Sequence, residues 1–300
     1  MTDVLIFGES LIDLIQTGDQ GKAGNPTYEA CPGGSPFNAA LALARQGVAA
    51  GYACPISTDP YGDLLMDRLT DFGATYAYPE RLENPTSLAV VSFIEGQPAY
   101  QFYRGGVADR AMTQAALRAL PLPKWAQIGG LSMCPTADSA LWLAHIGWLK
   151  GQGVKISVDP NVRAPFIEDM ELYIERIRQL CAMADLVKLS DEDAEVIFPD
   201  QDAITALHDL GAPLAAFTRG AEGASLSDGT RRADIPVQPA DPFGDTVGAG
   251  DTFGAALLSQ VMAGETDLVK LGTYAATAAR LNCQQVGCLP PTRQETLEAL

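Results

Sequence analysis

Hydrophobic positions along the chain follow two alternating patterns. Short apolar runs bounded by turn residues predict buried strands, and apolar residues recurring every three or four positions predict helices. The predicted strands are 4–7, 126–131, 155–158, 186–189 and 214–218. The predicted helices are 35–46, 139–150, 169–184, 251–263 and 268–283. Strands alternating with helices of this length predict the α/β class, with a mostly parallel sheet covered on both faces.

Two β-rich runs, residues 88–94 and 99–104, interrupt the alternation. The residues between them, Glu95-Gly96-Gln97-Pro98, fit a short hairpin turn. We expect a small β lid built from segments near 12–32 and 86–106, which could also form a homodimer contact; an inert surface hairpin is the alternative. No repeat or low-complexity linker divides the chain, so residues 1–300 are predicted to form a single domain.

Composition and charge narrow the class of protein. The chain is 47% hydrophobic and 19% charged, as in ordinary globular proteins. No run approaches the ~20 apolar residues that span a membrane, and Met1-Thr2-Asp3-Val4 lacks the basic start of a signal peptide. We therefore expect a cytoplasmic protein without a membrane partner. The net charge of −17 also speaks against a nucleic-acid partner, which needs a basic face.

The numbers and spacing of the cysteines and histidines speak against a zinc site and against a Ser-His-Asp catalytic triad. None of the six cysteines forms a C-x-x-C pair, and the chain has only two histidines, His145 and His208. Both histidines lie in helical patterns, His145 in a strongly apolar one. Neither a zinc site nor Ser-His-Asp chemistry is therefore expected.

Residues 245–251 read Asp-Thr-Val-Gly-Ala-Gly-Asp, directly before an apolar helical pattern. A glycine-rich turn that opens a helix presents backbone N–H groups and the positive end of the helix dipole to an anion. Gly248, Ala249 and Gly250 are therefore predicted to form an anion hole, with Asp251 as the general base of a phosphoryl transfer. The alternative, that Asp251 only caps the helix, leaves the two glycines unexplained, because a cap does not need them.

Two separated motifs resemble the ribokinase-like (PfkB) family of sugar kinases over nearly the whole chain. The first is Gly33-Gly34-Ser35-Pro36-Phe37-Asn38-Ala39-Ala40, and the second is residues 245–253. Two matched signatures about 200 residues apart are more specific than a lone glycine motif. Within the family, the closest likeness is to bacterial fructokinases. The segments that carry this likeness are Phe102-Tyr103-Arg104, Ala108-Asp109-Arg110, Asp159-Pro160-Asn161-Val162-Arg163, residues 188–193 and residues 282–291.

The resemblance implies a three-layer α/β/α fold of the ribokinase-like (Rossmann-like) kind and an ATP- and Mg²⁺-dependent sugar kinase. D-fructose is the expected substrate and fructose 6-phosphate the expected product, with Asp251 taking the proton of the attacking hydroxyl. A 2-keto-3-deoxygluconate kinase or another kinase of the family is the nearest alternative. A non-catalytic sugar or nucleotide sensor on a kinase fold is an alternative from a different class.

Sugar contacts are expected from the first motif, the lid and a strand end. The residues expected at the sugar are Asp13, Gly33, Gly34, Asn38, Tyr103, Arg104, Arg163 and Asp251. The Asn38 amide offers both a donor and an acceptor to vicinal hydroxyls, or else serves as a structural cap. Asp13 is either a pocket acid or part of strand alternation. By the resemblance Arg163 also approaches the transferring phosphate, although Arg104 and Arg163 could instead form surface ion pairs.

The nucleotide and ion sites follow from the resemblance. The residues implied at ATP are Lys188, Ser190, Thr218, Gly220, Gly223, Gly248, Gly250 and Asn282. The family often has Asn-x-x-Glu where this chain has Ser190 and Asp193, so Asp193 and Glu192 are both candidates for the Mg²⁺ shell, acting through water. The resemblance also implies a K⁺ site near Asp245 and Val247.

Overall fold

The computed structural model describes residues 2–94, 97–237 and 239–300. Its strands are β1 (Val4–Phe7), β2 (Leu11–Gln20), β3 (Pro26–Gly33), β4 (Ala50–Tyr52), β5 (Thr75–Tyr76), β6 (Ser87–Ile94), β7 (Gln97–Tyr103), β8 (Trp125–Gly129), β9 (Lys155–Asp159), β10 (Leu186–Ser190), β11 (Ala215–Thr218), β12 (Ala224–Ser227) and β13 (Arg232–Ile235). Its α-helices are α1 (Ser35–Arg45), α2 (Pro60–Asp71), α3 (Gln114–Arg118), α4 (Thr136–Gly151), α5 (Met170–Met183), α6 (Asp191–Ile197), α7 (Ala203–Asp209), α8 (Ala249–Met262), α9 (Leu268–Asn282) and α10 (Arg293–Glu298).

A nine-stranded sheet organises the molecule, in the order β13-β12-β11-β10-β9-β8-β1-β4-β5. The pairs from β11 through β8 and β1 to β5 are parallel, whereas β12 and β13 join antiparallel at one edge. Helices cover both faces of this sheet. The apolar runs that predicted strands are buried, as in β1, because a parallel sheet between helices has no exposed face. The predicted α/β fold is confirmed.

A second, four-stranded sheet has the order β3-β2-β6-β7. Its β2 pairs antiparallel with β3 and parallel with β6, and β6 pairs antiparallel with β7. It is built from the two segments expected to form the lid, and we refer to it as the lid sheet. Its function as a lid, like the division of the chain into one domain, stays a prediction.

Two strand boundaries differ from the predicted ones. Gln97 and Pro98 belong to β7 and pair with Ile94 and Phe93, so they are not turn residues. Proline is tolerated there because β7 is an edge strand. The other two residues of the predicted turn, Glu95 and Gly96, lie outside the described residues.

The second difference concerns β8, which ends at Gly129 and not at residue 131. Gly130 has a φ of 70°, which turns the chain out of the strand and into a short 3-10 helix over Gly130–Met133. The turn carries the chain across the end of β9, where the Gly130 N–H donates to the Pro160 carbonyl at 3.0 Å.

Helix starts in this fold follow capping chemistry that is readable in the sequence. Asp59, Asp169 and Asp267 each accept a hydrogen bond from the first turn of the helix that they precede, at α2, α5 and α9. At α8, by contrast, Gly248 occupies the cap position without a side-chain acceptor. Of the described helices, none is long and apolar enough to cross a membrane.

Candidate active site

The parallel strands bring their carboxyl ends to one edge of the large sheet. Asp159 is the last residue of β9, Ser190 the last of β10 and Thr218 the last of β11. Ligands of open α/β sheets bind outside this edge. The edge therefore collects residues that are far apart in the sequence.

The predicted anion hole, Gly248, Ala249 and Gly250, lies at the start of α8 beside this edge. We refer to these three residues as the anion cradle. Gly248 has a φ of 75°, and a Cβ atom at this position would overlap the Cys288 Sγ atom. The N–H of Ala249 donates to the Thr246 carbonyl at 3.1 Å. Within the described part of the chain, no acceptor is found for the N–H groups of Gly248 and Gly250. Two of the three predicted anion-hole donors are thus free for a ligand, and the third closes the turn.

Asp251, in the first turn of α8, is buried and hydrogen-bonded across the molecule. Its Oδ1 accepts from Ser35 Oγ at 2.7 Å and its Oδ2 from Asn38 Nδ2 at 2.9 Å. Burial raises the pKa of the carboxyl group, while these two hydrogen bonds and the charges of Lys188 and Arg163 oppose the rise. The side chain contacts α1 and not the N–H groups of its own helix, so the structure does not show it acting as a cap.

Residues of the first motif, at the start of α1, lie next to the Asp251 carboxylate. Pro36 stands in the first turn of α1, and Asn38 follows one turn into the helix, where it is buried and cannot be a cap. The Asn38 Oδ1 atom is buried without a partner among the described residues. A buried polar atom without a partner is costly, so this oxygen is available to a ligand donor such as a hydroxyl.

Asp13 lies in β2 opposite the end of β3. A Cβ atom on Gly33 would lie 2.5 Å from Asp13 Oδ2, so glycine leaves room for the carboxylate. Burial raises the pKa of Asp13 to about 6. No described residue donates a hydrogen bond to its side chain. Asp13 is partly buried and its carboxylate is open to a ligand donor, but a role at the sugar stays a prediction.

Arg104 follows β7 and points back into the protein. Its Nη2 donates to Asp109 Oδ2 at 2.6 Å and its Nη1 to the Leu131 carbonyl at 3.3 Å. The two side chains are 11% and 2% exposed, so this is a buried ion pair and not a surface one. Tyr103, in contrast, is 52% exposed. The Tyr103 side chain thus lies partly in solvent, and the Arg104 guanidinium is already paired with the buried Asp109 carboxylate.

Lys188 lies in β10 under the start of α8. Its Nζ is 3.1 Å from Asp159 Oδ2 and 3.2 Å from Asp159 Oδ1. A Cβ atom on Gly250 would lie 3.2 Å from the same Nζ. A positive charge is therefore fixed beside the anion cradle. Burial raises the pKa of Asp159, whereas the Lys188 ammonium lowers it and favours the charged carboxylate.

The Ser190-to-Asp193 segment is a capping box at the start of α6. Ser190 Oγ accepts from the Asp193 N–H, and Asp193 Oδ2 accepts from the Ser190 N–H. Asp193 Oδ1 accepts from the Val162 N–H at 2.6 Å, which holds the turn that carries Arg163. Asp193 thus has a structural role that the sequence did not indicate. The Glu192 side chain, by contrast, is exposed and has no hydrogen-bond partner among the described residues.

The loop at residues 245–247 is held by its own hydrogen bonds. Asp245 accepts from the Val247 and Gly287 N–H groups, both at 2.8 Å. The Asn282 side chain, fully buried, donates to the Val247 carbonyl at 2.8 Å and accepts from the Leu289 N–H at 3.0 Å. Asp245 and Val247, which the resemblance implies at K⁺, and Asn282, which it implies at ATP, thus make hydrogen bonds that hold the loop before α8. Binding of K⁺ stays a prediction.

Thr218, Gly220 and Gly223 form the turn between β11 and β12. The Arg219 N–H donates to the Gly223 carbonyl at 2.8 Å, and a Cβ atom on Gly223 would overlap the Ile235 carbonyl oxygen. The turn lies at the same sheet edge as Ser190 because β11 pairs in register with β10, Ser190 opposite Thr218. The structure brings these residues to the same sheet edge as Ser190, and their role in nucleotide binding stays a prediction.

A family model for pfkB family carbohydrate kinases matches residues 1–295. The chain belongs to this family. A fructokinase of Rhizobium leguminosarum bv. trifolii is 35% identical to this kinase over 264 residues, which cover 86% of the chain and 79% of the relative. A sugar kinase of Pyrococcus horikoshii, solved in complex with ATP, is 27% identical with a TM-score of 0.82, over 98% of this chain and 97% of that one. A fructokinase of Xylella fastidiosa with bound ATP has a TM-score of 0.86 at 24% identity, over 100% and 98% of the two chains.

Three residues of this carbohydrate kinase's site were not assigned a role from the sequence. They are Ser35, which donates to Asp251, Asp159, which pairs with Lys188, and Cys288, which packs against Gly248. All three residues lie inside segments that carry the family resemblance, so their position was a usable signal. No local pattern, however, connects Cys288, which lies in a loop after α9, to Gly248.

Proposed function

We propose that this kinase transfers the γ-phosphoryl group of ATP to D-fructose and forms fructose 6-phosphate. The observation that carries the proposal is the buried Asp251 carboxylate, held by Ser35 and Asn38 next to the open N–H groups of Gly248 and Gly250. Fructose is supported by the bacterial fructokinase at 35% identity, and ATP by the sugar kinase solved with ATP at 27% identity.

We propose a separate role for each group of site residues, and the positions of these residues support it. Asp251 would accept the proton of a sugar hydroxyl as its oxygen attacks, a role in which a positioned base typically contributes ~10²–10⁴ in rate. Gly248 and Gly250 N–H groups, with the Lys188 ammonium beside them, would stabilise negative charge on the transferred group. Asp13 and the Asn38 Oδ1 atom would receive other hydroxyls. The raised pKa of Asp251 suits a group that must take up a proton.

Charge in the lid sheet favours a neutral sugar over an acidic one. Arg104 is the lid cation that an acidic sugar would need, but it is paired with Asp109, whose second oxygen accepts from Ser87 Oγ at 2.5 Å. The buried Glu9 carboxyl also lies near Arg104 and Asp109. A carboxylate on the substrate would meet a cation that is already neutralised, which argues against 2-keto-3-deoxygluconate.

Mg²⁺ fits the exposed acid at the start of α6. Hard divalent cations of this kind usually bind substrate phosphates, water and one or two carboxylates. Glu192 offers such a carboxylate, whereas both Asp193 oxygens already accept backbone N–H groups. When bound, Mg²⁺ would neutralise charge on the β- and γ-phosphates. A cytoplasmic location and a homodimer through the lid sheet also stay predictions.

A sugar panel tests the proposed function. The purified protein is supplied with MgATP and, in turn, fructose, ribose, 2-keto-3-deoxygluconate and a nucleoside, and ADP formation is followed. Fructose should give the highest kcat/KM, with fructose 6-phosphate as the product. A higher kcat/KM for 2-keto-3-deoxygluconate would contradict the substrate, and sugar binding without ATP turnover on any acceptor would favour a sensor.

A further inference from the structure

In the buried ion pair between Asp159 and Lys188, Lys188 is implied at the nucleotide, whereas Asp159 has no assigned role. We propose that Asp159 is a positioning residue for phosphoryl transfer, which holds the Lys188 ammonium beside the anion cradle and sets the net charge next to Asp251. The inference rests on the proposed function because it concerns the same phosphate site.

The first argument is the shape of the pair. Both Asp159 oxygens lie within 3.2 Å of Lys188 Nζ, and each side chain is 8% exposed. An ammonium group has three N–H bonds, and its described contacts all go to this single carboxylate. Asp159 therefore fixes the position of Nζ and still leaves it an N–H for a phosphate oxygen.

The second argument is the face of α8 that lies over the pair. A Cβ atom on Gly250 would lie 3.2 Å from Lys188 Nζ, and one on Gly254 would lie 3.7 Å from Asp159 Oδ2. Gly250 and Gly254 are one helical turn apart and share a face of the helix. The tight distance at Gly250 shows that glycine lets the helix approach Nζ closely, whereas a Cβ atom on Gly254 would make an ordinary contact. Asp251 immediately follows Gly250.

The third argument is energetic. Burying two charges is expensive, and a well-packed apolar pair of similar volume is often as stable or more stable. Stability alone therefore does not account for charges at this position. A fixed charge beside a group whose charge changes during the reaction is useful, because it needs no reorganisation when the reaction occurs.

Several charged groups face this part of the site. Asp251 interacts with Lys188 and Arg163, and its charge in turn affects Asp159 and Cys288; Asp193 acts on both members of the pair. The uncharged Ser35 and Asn38 approach from α1. Removing the Asp159 charge leaves the Lys188 charge unbalanced, so it should make Asp251 a stronger acid.

The test compares pH profiles of kcat/KM and the KM for ATP, using the best sugar of the panel. Asp159→Asn should shift the acid limb down by about one pH unit and raise the KM for ATP several-fold. In the Asp159→Asn/Lys188→Met double variant both charges are gone, so the acid limb should return towards the wild-type position while the KM for ATP stays raised.

A matched control lies at the other end of the same strands. Lys150 Nζ is 2.7 Å from Asp185 Oδ2, just before β10, and Asp185 also accepts from the Ile156 N–H of β9. Asp185→Asn is the same chemical change away from the carboxyl edge, and it should leave both the acid limb and the KM for ATP unchanged.

An acid limb in Asp159→Asn that coincides with that of the wild type, in a protein that unfolds at the wild-type temperature, would overturn the proposal. If Asp159→Asn does not fold, the double variant decides, because an unchanged KM for ATP there would equally overturn it. Failure of the substrate assignment is distinguishable, since it shows in the sugar panel of the wild-type protein and not in these shifts.

Discussion

At the scale of single residues, Gly248 joins backbone geometry to the chemistry of the site. Its positive φ starts α8, its N–H is open to a ligand, and Cys288 Sγ fills the space where a side chain would be. Residues other than glycine adopt this backbone region only at a cost, and here there is also no room for a Cβ atom. Both constraints act at one position of the anion cradle.

Gly248→Ala should therefore reduce kcat more than it raises the KM for the sugar. The added methyl group must displace Cys288 or the turn, which misplaces the donors that stabilise the transferred phosphoryl group; loss of one such donor typically lowers kcat by ~10²–10³. Steady-state kinetics with the sugar and ATP varied separately measure this. Gly264→Ala, at a positive φ but with nothing within 4 Å of its Cβ position, controls for backbone strain alone. Equal losses in both variants would contradict the packing argument.

The sequence predicted the site residues unevenly. Asp251 and the glycines were predictable because one helix start holds both the acid and the open N–H groups. The partners of Asp251 were harder to predict, because Ser35 and Asn38 are 216 and 213 positions away. Arg104 and Asp109 are five positions apart, but the burial of their ion pair, with Arg104 also donating to the Leu131 carbonyl, is a tertiary feature that no local pattern specifies.

At the scale of elements, the end of α9 braces the loop before α8. The Asn282 side chain joins the Val247 carbonyl to the Leu289 N–H and is fully buried. It thus connects a helix end to two loops on either side of the anion cradle. The resemblance implies Asn282 at the nucleotide, and the structure gives it a bracing contact that would act through the loop.

Asn282→Ala should loosen this loop. It removes two partly buried hydrogen bonds, to the Val247 carbonyl and from the Leu289 N–H, each typically worth about 0.5–1.5 kcal/mol. We expect a lower midpoint in urea unfolding and a higher KM for ATP, with little change in the KM for the sugar. Asn282→Asp keeps the acceptor for Leu289 and should be intermediate. A wild-type KM for ATP in Asn282→Ala would show that the brace does not position the phosphate site.

Elements were predicted best where burial is complete. The central strand β1 is an uninterrupted apolar run because both of its faces are covered, and the sequence showed it clearly. The antiparallel strands β12 and β13 were not predicted, since β12 mixes serine with apolar residues and β13 is largely exposed. Short, half-polar strands resemble loops, and only tertiary pairing makes them strands.

At the scale of the whole molecule, two carboxyl groups without a cationic partner in direct contact among the described residues lie near the site, the buried Glu9 and the partly buried Asp13. Burial raises the pKa of Glu9 to about 7 and that of Asp13 to about 6. A carboxyl group with a raised pKa in the folded state binds its proton more tightly there than in the unfolded chain. Its contribution to stability is complete below its ordinary pKa and is lost as the pH rises through the folded-state pKa.

The free energy of unfolding should therefore fall between about pH 4 and pH 7. Glu9→Gln removes one of these groups and keeps an acceptor for the Ser35 N–H, which contacts Glu9 Oε1 at 3.3 Å. The variant should lose less stability over this range than the wild type. Urea unfolding at both pH values measures the difference. Parallel losses in the two proteins would show that Glu9 does not change its protonation between the folded and unfolded states.

The most direct test of the central claim is the rate at which Asp251→Asn forms fructose 6-phosphate at saturating fructose and MgATP. Asparagine fills the same space beside Ser35 and Asn38 but cannot take up the hydroxyl proton at neutral pH. We predict a kcat lower than that of the wild type by ~10²–10⁴, with ATP binding retained. A kcat within a few-fold of the wild type would contradict the assignment of Asp251 as the base.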